Sequence, residues 1–171
     1  MRASVRCRER PLVIVMADLA RFTHAVAGLS LLEMASVVDA FYRSAAEVVS
    51  GHRGRVVKFV GDGCLAVFEP DDAVAALDAV EALRTRIAEL AADFGIELDL
   101  GANVHLSTVA EGELGPDATY DIVGMGVVHA FRMGSGAGTR ISEPVYRKLP
   151  SDRRTPWHKH QPPATYTWEA P

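Results

Sequence analysis

Apolar runs and regular apolar spacings predict several strands along the chain. Residues 12–17 are almost unbroken in their apolar character, which is typical of a central strand covered on both faces. The segment 55–68 has two runs of β-branched and aromatic residues around Gly61-Asp62-Gly63, and this pattern predicts a tight antiparallel hairpin with a carboxylate at its tip. From residue 96 to about 106, apolar and polar residues alternate, which predicts a strand with one wet face.

Two long stretches have the 3.6-residue apolar spacing of helices that bury one side. In the first, Ser30 and Glu33 have the spacing of a capping box, and about five turns of helix follow and close near Gly51 to Gly54. The second begins near Pro70 and ends at Gly95. Two helices of this length are able to cover one face of a sheet.

The other segments give shorter signals. They predict a short helix at 22–28, a projecting loop or hairpin arm at 111–119, a strand at 120–123, a short helix at 124–133, a strand at 139–146 interrupted by Pro144, an irregular stretch at 150–163 and an edge strand at 165–168. Helices that alternate with strands around a central hairpin predict an α+β sandwich of ferredoxin-like type, with a mainly antiparallel sheet.

The composition is that of an ordinary soluble globular domain. The chain has 171 residues, of which 49% are hydrophobic and 23% charged, and one domain is expected over residues 11–171. A net charge of −4 argues against broad nucleic-acid binding, and no run reaches the roughly 20 apolar residues of a membrane span. Cys7 and Cys64 show neither metal-ligand nor disulfide spacing, which predicts a reducing, cytoplasmic location. Residues 1–10 hold four arginines and are predicted to form a frayed basic tail.

Three charged residues lie within or at the ends of these apolar strands. Asp18 and Asp62 each end a strand segment, and strands lying side by side would bring the two carboxylates together. Two adjacent carboxylates repel and tend to bind a cation, and Mg²⁺ accepts one or two carboxylates together with water and phosphate oxygens. The alternative is two unrelated loop aspartates. Lys58 lies in an apolar strand and needs either a partner or a route to water.

Three segments, VMADLARFT at 15–23, VVKFVGDGCLAVF at 56–68 and TYDIVGMGVVHAFRM at 119–133, share their order and spacing with a known family. Together with the helices between them, they resemble the catalytic domain of the class III nucleotidyl cyclases, the adenylyl and guanylyl cyclase family. The resemblance covers roughly residues 11–149. It implies the cyclase catalytic fold and, for the chain as a whole, a phosphorus–oxygen lyase that converts a nucleoside triphosphate into a cyclic nucleotide and pyrophosphate.

The resemblance implies a role for several residues at the phosphate end of the substrate. Asp18 and Asp62 fall on the two metal-binding aspartates, and the Leu19 carbonyl falls on an additional ligand of two Mg²⁺ or Mn²⁺ ions. Phe22 and Thr23 fall on the turn whose backbone receives the terminal phosphates. The metal ions would activate the 3′-hydroxyl of the substrate for in-line attack on the α-phosphorus.

The resemblance also implies roles at the base and at the reacting phosphorus. Lys58 and Asp121 fall on the pair that reads the base, and Arg132 falls on the arginine that stabilises the transition state. Lys159 lies near the position of a triphosphate-binding lysine. In this family the active site lies between two subunits, so the resemblance implies a homodimer with two shared sites.

The chemistry of the base-reading pair favours ATP. Lysine only donates hydrogen bonds and an ionised aspartate only accepts them. Adenine offers an acceptor at N1 and a donor at its 6-amino group, which complements Lys58 and Asp121, whereas guanine offers the reverse pattern. Cytosine has the same acceptor and donor edge as adenine, so a pyrimidine nucleotide cyclase stays open as an alternative.

One departure from the family pattern concerns the ribose. The asparagine that orients the ribose in this family is replaced by Val128, and the neighbouring His129 would substitute only if the helix register shifted, because adjacent residues point about 100° apart. Ser107 stands where the family often has glycine. These departures predict a weak or specialised cyclase, and they leave open a catalytically silent dimer that binds nucleotide and regulates a partner.

Overall fold

The computed structural model describes residues 6–160 and 165–168, which form eight strands and five α-helices. The strands are β1 (Arg6–Ala20), β2 (Arg55–Val60), β3 (Gly63–Phe68), β4 (Asp99–Leu114), β5 (Thr119–Val123), β6 (Gly138–Ser142), β7 (His158–His160) and β8 (Thr165–Trp168). The helices are α1 (Phe22–Ala25), α2 (Leu31–Gly51), α3 (Ala73–Phe94), α4 (Met125–Arg132) and α5 (Glu143–Lys148).

The strands form one sheet in the order β2-β3-β1-β4-β6-β8-β7, and β5 pairs with the C-terminal part of β4. The apolar strand β1 lies near the centre, where it runs antiparallel to both β3 and β4. In the described part of the chain only β4 and β6 run parallel. The prediction of an α+β fold with a mainly antiparallel sheet is confirmed.

Both faces of β1 are covered, as its apolar run predicts. Val13 and Val15 belong to the large core beneath α2 and α3, and Leu12 and Ile14 belong to a second core that includes Ala130 of α4. Successive residues of a strand point to opposite faces, so an uninterrupted apolar run fits a strand between two helical layers.

The predicted start of α2 and end of α3 are confirmed, whereas the predicted helix start at Pro70–Asp72 is a 3₁₀ turn and α3 begins at Ala73. The Ser30 hydroxyl accepts a hydrogen bond from the backbone N–H of Glu33 at 3.3 Å, and the Glu33 carboxylate accepts one from the Ser30 N–H at 2.8 Å. These two bonds form a capping box at the start of α2. Gly95 ends α3 with a left-handed φ of 64°. No helix of the described residues is long and apolar enough to cross a membrane.

The prediction of a frayed tail over residues 1–10 is wrong for residues 6–10; residues 1–5 lie outside the described residues. Arg6–Arg10 form the first part of β1 and pair with β4. Arg8 and Arg10 both donate to the Glu111 carboxylate, at 2.9 and 3.1 Å. The arginines extend the strand because β4 supplies both a backbone partner and a carboxylate that their charges neutralise.

Two strand predictions are also corrected. β4 begins at Asp99, and its residues 100–104 are all buried, so it has no wet face there because α3 and α4 pack on its opposite sides. The strand 165–168 is confirmed but does not lie at the edge, because residues 158–160 of the predicted irregular stretch form β7 outside it. Residues 161–163 of that stretch lie outside the described residues.

The predicted strand at 139–146 is half strand and half helix. β6 ends at Ser142, and Pro144 lies in the first turn of α5. Proline suits that position because its fixed φ is helical and the first turn of a helix needs no N–H donor. Pro144 therefore starts a helix here and does not interrupt a strand.

Candidate active site

The turn of the β2–β3 hairpin lies beside the end of β1, so that Asp18 and Asp62 are close together. Asp18 pairs with Gly63 across the β1–β3 ladder, and the Leu19 N–H donates to the Asp62 carbonyl at 3.0 Å. The Tyr42 hydroxyl of α2 donates to the Gly61 carbonyl at 2.6 Å. These contacts fix the turn, and the predicted proximity of the two carboxylates is confirmed.

Both carboxylates line one cavity of about 210 Å³. The other lining residues come from β1, β2, β3, β4, α4 and the loop that follows α4, and they are Met16, Val60, Gly63, Asn103, Phe131, Gly134 and Ser135. Partial burial raises the pKa of Asp18 above its ordinary value, the neighbouring Asp62 carboxylate raises it further, and Arg140 acts in the opposite direction. The ionised pair is therefore unfavourable until a positive charge joins it.

The cavity fits a hard divalent cation that shares its coordination with a substrate. The described residues contain no group of three or more His, Cys, Asp or Glu side chains that would hold a metal ion alone. Two carboxylates with an adjacent backbone carbonyl leave coordination positions for phosphate oxygens, which is the donor set that Mg²⁺ prefers. Gly101 keeps this space open, since a Cβ there would lie 2.6 Å from Asp18 Oδ1 and 2.6 Å from the Gly136 carbonyl oxygen.

Lys58 of the hairpin forms a second polar pair, with Asp121 of the neighbouring strand β5. Lys58 Nζ lies 2.7 Å from Asp121 Oδ2 of β5, with 44% and 25% of the two side chains exposed. The Ile122 N–H donates to Asp121 Oδ1 at 2.8 Å and orients the carboxylate. The lysine that interrupts an apolar strand therefore has a charged partner and does not simply extend into water.

A β-bulge at Val57 corrects the predicted faces of β2. The sequence pattern places Val56, Lys58 and Val60 on one face, but the pairing with β3 shifts between Val56 and Lys58. As a result Val56 and Phe59 pack against the same core, while Val57 packs against the other one. An extra residue in one strand reverses the alternation beyond it.

Arg132, Phe22 and Thr23 lie at the ends of two short helices, α4 and α1, and are not among the residues that line the carboxylate cavity. Arg132 is the last residue of α4 and its side chain is exposed. Phe22 and Thr23 begin α1, after Arg21 turns the chain with a left-handed φ of 65°. In the first turn of a helix the backbone N–H groups have no partner within the helix, so the N–H groups of Phe22 and Thr23 are available to an anion.

Solved structures that share this fold are nucleotide cyclases. The guanylyl cyclase Cya2 matches with a TM-score of 0.83 and 22% identity over 95% of this chain and 93% of that chain. The adenylyl cyclase CyaB from P. aeruginosa matches with a TM-score of 0.84 and 17% identity over 98% of this chain and 97% of that chain. This chain has the catalytic-domain fold of the class III nucleotidyl cyclases.

Other comparisons add a third solved cyclase structure and two uncharacterised sequence relatives. The guanylate cyclase domain of RhGC from Catenaria anguillulae, in complex with GTP, matches with a TM-score of 0.79 and 18% identity over 95% of this chain and 98% of that chain. Uncharacterized proteins of Mycobacterium tuberculosis and Mycobacterium bovis are 30% identical over 128 residues, or 73% of this chain. This chain spans about a quarter of their length, 23%. No family model matches the chain.

Within one subunit of this cyclase fold, Lys159 does not join the other predicted site residues. Its Nζ lies 6.0 Å from the ring centroid of Tyr166, which belongs to the core beneath α2 and α3. Asp18 points to the opposite face of the sheet, because its neighbours Ala17 and Leu19 belong to that same core. A contact between Lys159 and the triphosphate stays a prediction that would need a second subunit.

His129 faces the sheet. Its ring lies 4.5 Å from that of His105 in β4, centroid to centroid. Burial lowers the pKa of His105 to about 4, and His129 contributes in the same direction. His129 therefore packs between α4 and the sheet and does not occupy the position of Val128, which remains 38% exposed on the helix surface.

Sequence reasoning missed Arg140 and Asn103. Arg140 of β6 lies opposite Asn103 of β4 in the parallel ladder, and both contact the loop that closes the cavity. The available signal is the glycine-rich segment at 134–138 followed by a charged residue inside an otherwise uncharged strand. It identifies a tight turn, but only the register with β4 shows which site the turn adjoins.

Proposed function

We propose that the protein is an adenylyl cyclase that converts ATP to 3′,5′-cyclic AMP and pyrophosphate. The observation that carries this proposal is the pair of carboxylates, Asp18 and Asp62, in one cavity at the tip of the hairpin. The fold is that of nucleotide cyclases of both base specificities, so the choice of ATP depends on Lys58 and Asp121.

Asp18, Asp62 and the Leu19 carbonyl are proposed to hold two divalent cations, Mg²⁺ or Mn²⁺. The cations would lower the pKa of the substrate's 3′-hydroxyl and would place positive charge next to its triphosphate. Phe22 and Thr23 would donate their free backbone N–H groups to the terminal phosphates. The protein itself would provide no nucleophile, because the 3′-oxygen of the substrate would attack the α-phosphorus of the same molecule and displace pyrophosphate.

Lys58 and Asp121 form a hydrogen-bonded ion pair with each other at 2.7 Å. An adenine base would separate them by accepting at N1 from the ammonium group and donating its 6-amino hydrogen to the carboxylate. Guanine would present a donor to the lysine and an acceptor to the aspartate, and both protein groups would then lose their partners. Cytosine presents the same edge as adenine, so CTP is the competing substrate.

Arg132 is proposed to stabilise the charge that develops on the α-phosphorus, from the second subunit of a homodimer. Its exposure at the end of α4 suits a group that acts on a site completed by another copy. Large exposed apolar side chains support such an interface, because many of those in the described residues belong to β2, β5 and α4, namely Val60, Val123, Met125, Val128 and Phe131.

Val128 favours a second candidate, a dimer that binds nucleotide but turns it over slowly or not at all. A valine offers no hydrogen bond to a ribose, and His129 beside it packs against His105. Loss of one orienting contact lowers the rate without removing the metal site or the base-reading pair. The two candidates therefore share their ligand and differ in turnover.

A substrate panel separates these functions. The purified chain is incubated with ATP, CTP, GTP or UTP in the presence of Mg²⁺ or Mn²⁺, and cyclic products are identified by mass. Cyclic AMP as the main product supports the proposal, and a strong preference for CTP or UTP selects a pyrimidine cyclase. Nucleotide binding without a cyclic product from any of the four selects the silent dimer.

A further inference from the structure

The loop that follows α4, residues 134–137, is held in place by Arg140. The Arg140 guanidinium donates to three successive carbonyl oxygens, those of Ser135 at 2.6 Å, Gly136 at 3.3 Å and Ala137 at 3.4 Å. A planar guanidinium presents several donors in a fixed arrangement, which a lysine ammonium does not reproduce. We call these three contacts the Arg140 clamp.

The clamped loop forms part of the wall of the carboxylate cavity. Gly134 and Ser135 line that cavity together with Asp18 and Asp62. The Gly136 carbonyl oxygen and Asp18 Oδ1 approach the same point from two sides, since each would lie 2.6 Å from a Cβ placed on Gly101. A shift of the loop would therefore move the Gly136 carbonyl oxygen relative to the Asp18 carboxylate and change the shape of the cavity.

Two further contacts hold the loop against the sheet. Asn103, only 6% exposed, donates its amide to the Gly134 carbonyl at 2.9 Å. Gly134 also lies under the guanidinium, where a Cβ would come within 2.4 Å of Arg140 Nε. Glycine at 134 thus allows the guanidinium to lie flat over the loop.

We propose that Arg140 is a positioning residue of the metal site, and that its clamp on residues 134–137 is what the site requires of it. This inference rests on the proposed function. The positive charge alone would have the opposite effect, because a guanidinium close to Asp18 repels a divalent cation. The clamp and the charge therefore make predictions of opposite sign.

The experiment measures Mn²⁺ binding to the full chain without nucleotide, by the electron paramagnetic resonance signal of free Mn²⁺. Arg140→Lys keeps the charge and loses the clamp, and Arg140→Met loses both. We expect both variants to bind Mn²⁺ about 10-fold more weakly than the unchanged protein, in the range of effects seen for groups that support metal ligands. Arg86→Met is the control, since Arg86 contacts only surface glutamates of α2 and α3.

Gly134→Ala tests the clamp with Arg140 intact. The added Cβ displaces the guanidinium, so Mn²⁺ binding should weaken as it does in Arg140→Met while the charge remains. This variant keeps the inference testable if either Arg140 variant folds poorly, and circular dichroism melting of each variant checks the fold.

Three results would overturn the inference. One is tighter Mn²⁺ binding by Arg140→Met with normal binding by Arg140→Lys, which would assign the effect to charge. Another is normal binding by Gly134→Ala and both Arg140 variants, with Asp62→Ala alone defective, which would leave the metal site and the proposed function intact. The third is equal Mn²⁺ binding by the unchanged protein and Asp62→Ala, which would remove the metal site and with it the proposed function.

Discussion

The β2–β3 hairpin contributes one residue to each of two polar pairs with opposite electrostatics: Lys58 pairs with Asp121 of β5, and Asp62 lies beside Asp18 of β1. On β2, Lys58 pairs with Asp121 at 2.7 Å, with both side chains partly exposed. At the turn, Asp62 lies beside Asp18, and burial together with the charge of Asp62 raises the pKa of Asp18. The first pair consists of opposite charges that neutralise each other, whereas the second consists of like charges that a bound cation would stabilise, as we propose.

In the proposed enzyme, this difference assigns base selection and the reaction itself to different residue pairs. An exposed ion pair contributes about 0–1 kcal/mol, so exchanging its partners for the edge of a base costs little and depends on the match of donors and acceptors. Two like charges in a cavity repel each other, and a cation bound between them would relieve that repulsion. The Lys58–Asp121 pair therefore suits selection of the base, and the Asp18–Asp62 pair suits binding of the reactive end.

The largest effects are expected from the groups at the reacting phosphorus. Asp62→Asn removes a proposed metal ligand and Arg132→Ala removes the guanidinium proposed to stabilise the transition state, and each should lower kcat by about 10³-fold or more. Steady-state rates of cyclic product formation measure this. Asp93→Asn on the exposed side of α3 is the matched control and should leave kcat unchanged.

Mixing the two inactive variants tests whether the sites are shared between subunits. If one subunit supplies Asp62 and the other Arg132, a mixed dimer contains one intact site and recovers part of the activity. Separate sites in each subunit would give a mixture as inactive as its components, after allowing time for subunit exchange.

A smaller effect is expected at the base-reading pair. Lys58→Ala should lower kcat/KM for ATP by about 10²-fold and reduce the preference for ATP over GTP, because the donor to adenine N1 is lost. Lys148→Ala is a close control, since Lys148 pairs with Asp71 at 3.0 Å and is 43% exposed. Equal losses for ATP and GTP in Lys58→Ala would show that Lys58 does not read the base.

The smallest effect is a gain in stability. Since the folded-state pKa of Asp18 is raised, the favourable contribution of this carboxyl is present below the ordinary aspartate pKa of about 4 and is lost as the pH rises through the raised value. Asp18→Asn should therefore raise the melting temperature of the metal-free protein by a few degrees at pH 7 and change it little below pH 4. Asp121→Asn should show no such gain, and an unchanged melting temperature for Asp18→Asn at pH 7 would contradict the electrostatic argument.

Much of the fold follows from local sequence signals. The apolar run of β1, the capping box at Ser30 and the Gly61-Asp62-Gly63 turn each describe structure that neighbouring residues determine. The proximity of Asp18 and Asp62 needs more than these local signals, because it depends on the pairing of β3 with β1; the resemblance to the cyclase family is what predicted it.

What the sequence did not predict depends on pairing between distant segments. The bulge at Val57 is a property of the ladder with β3, and the strand at Arg6–Arg10 exists because β4 extends far enough to pair with it. Arg140 is near Asp18 only because β6 lies parallel to β4 in one particular register. No local pattern encodes such contacts, so the sequence-based description of the candidate site lacked the loop 134–137 and Arg140.

The proposed metal site is tested most directly by the effect of Mn²⁺ on the thermal stability of the unchanged protein, Lys58→Ala and Asp62→Asn. A cation that binds the folded state should raise the melting temperature of the unchanged protein by about 5–10 °C at roughly 100 times its dissociation constant. We expect the same rise in Lys58→Ala and no rise in Asp62→Asn. A full rise in Asp62→Asn, or its loss in Lys58→Ala, would contradict the assignment of the metal to the carboxylate pair.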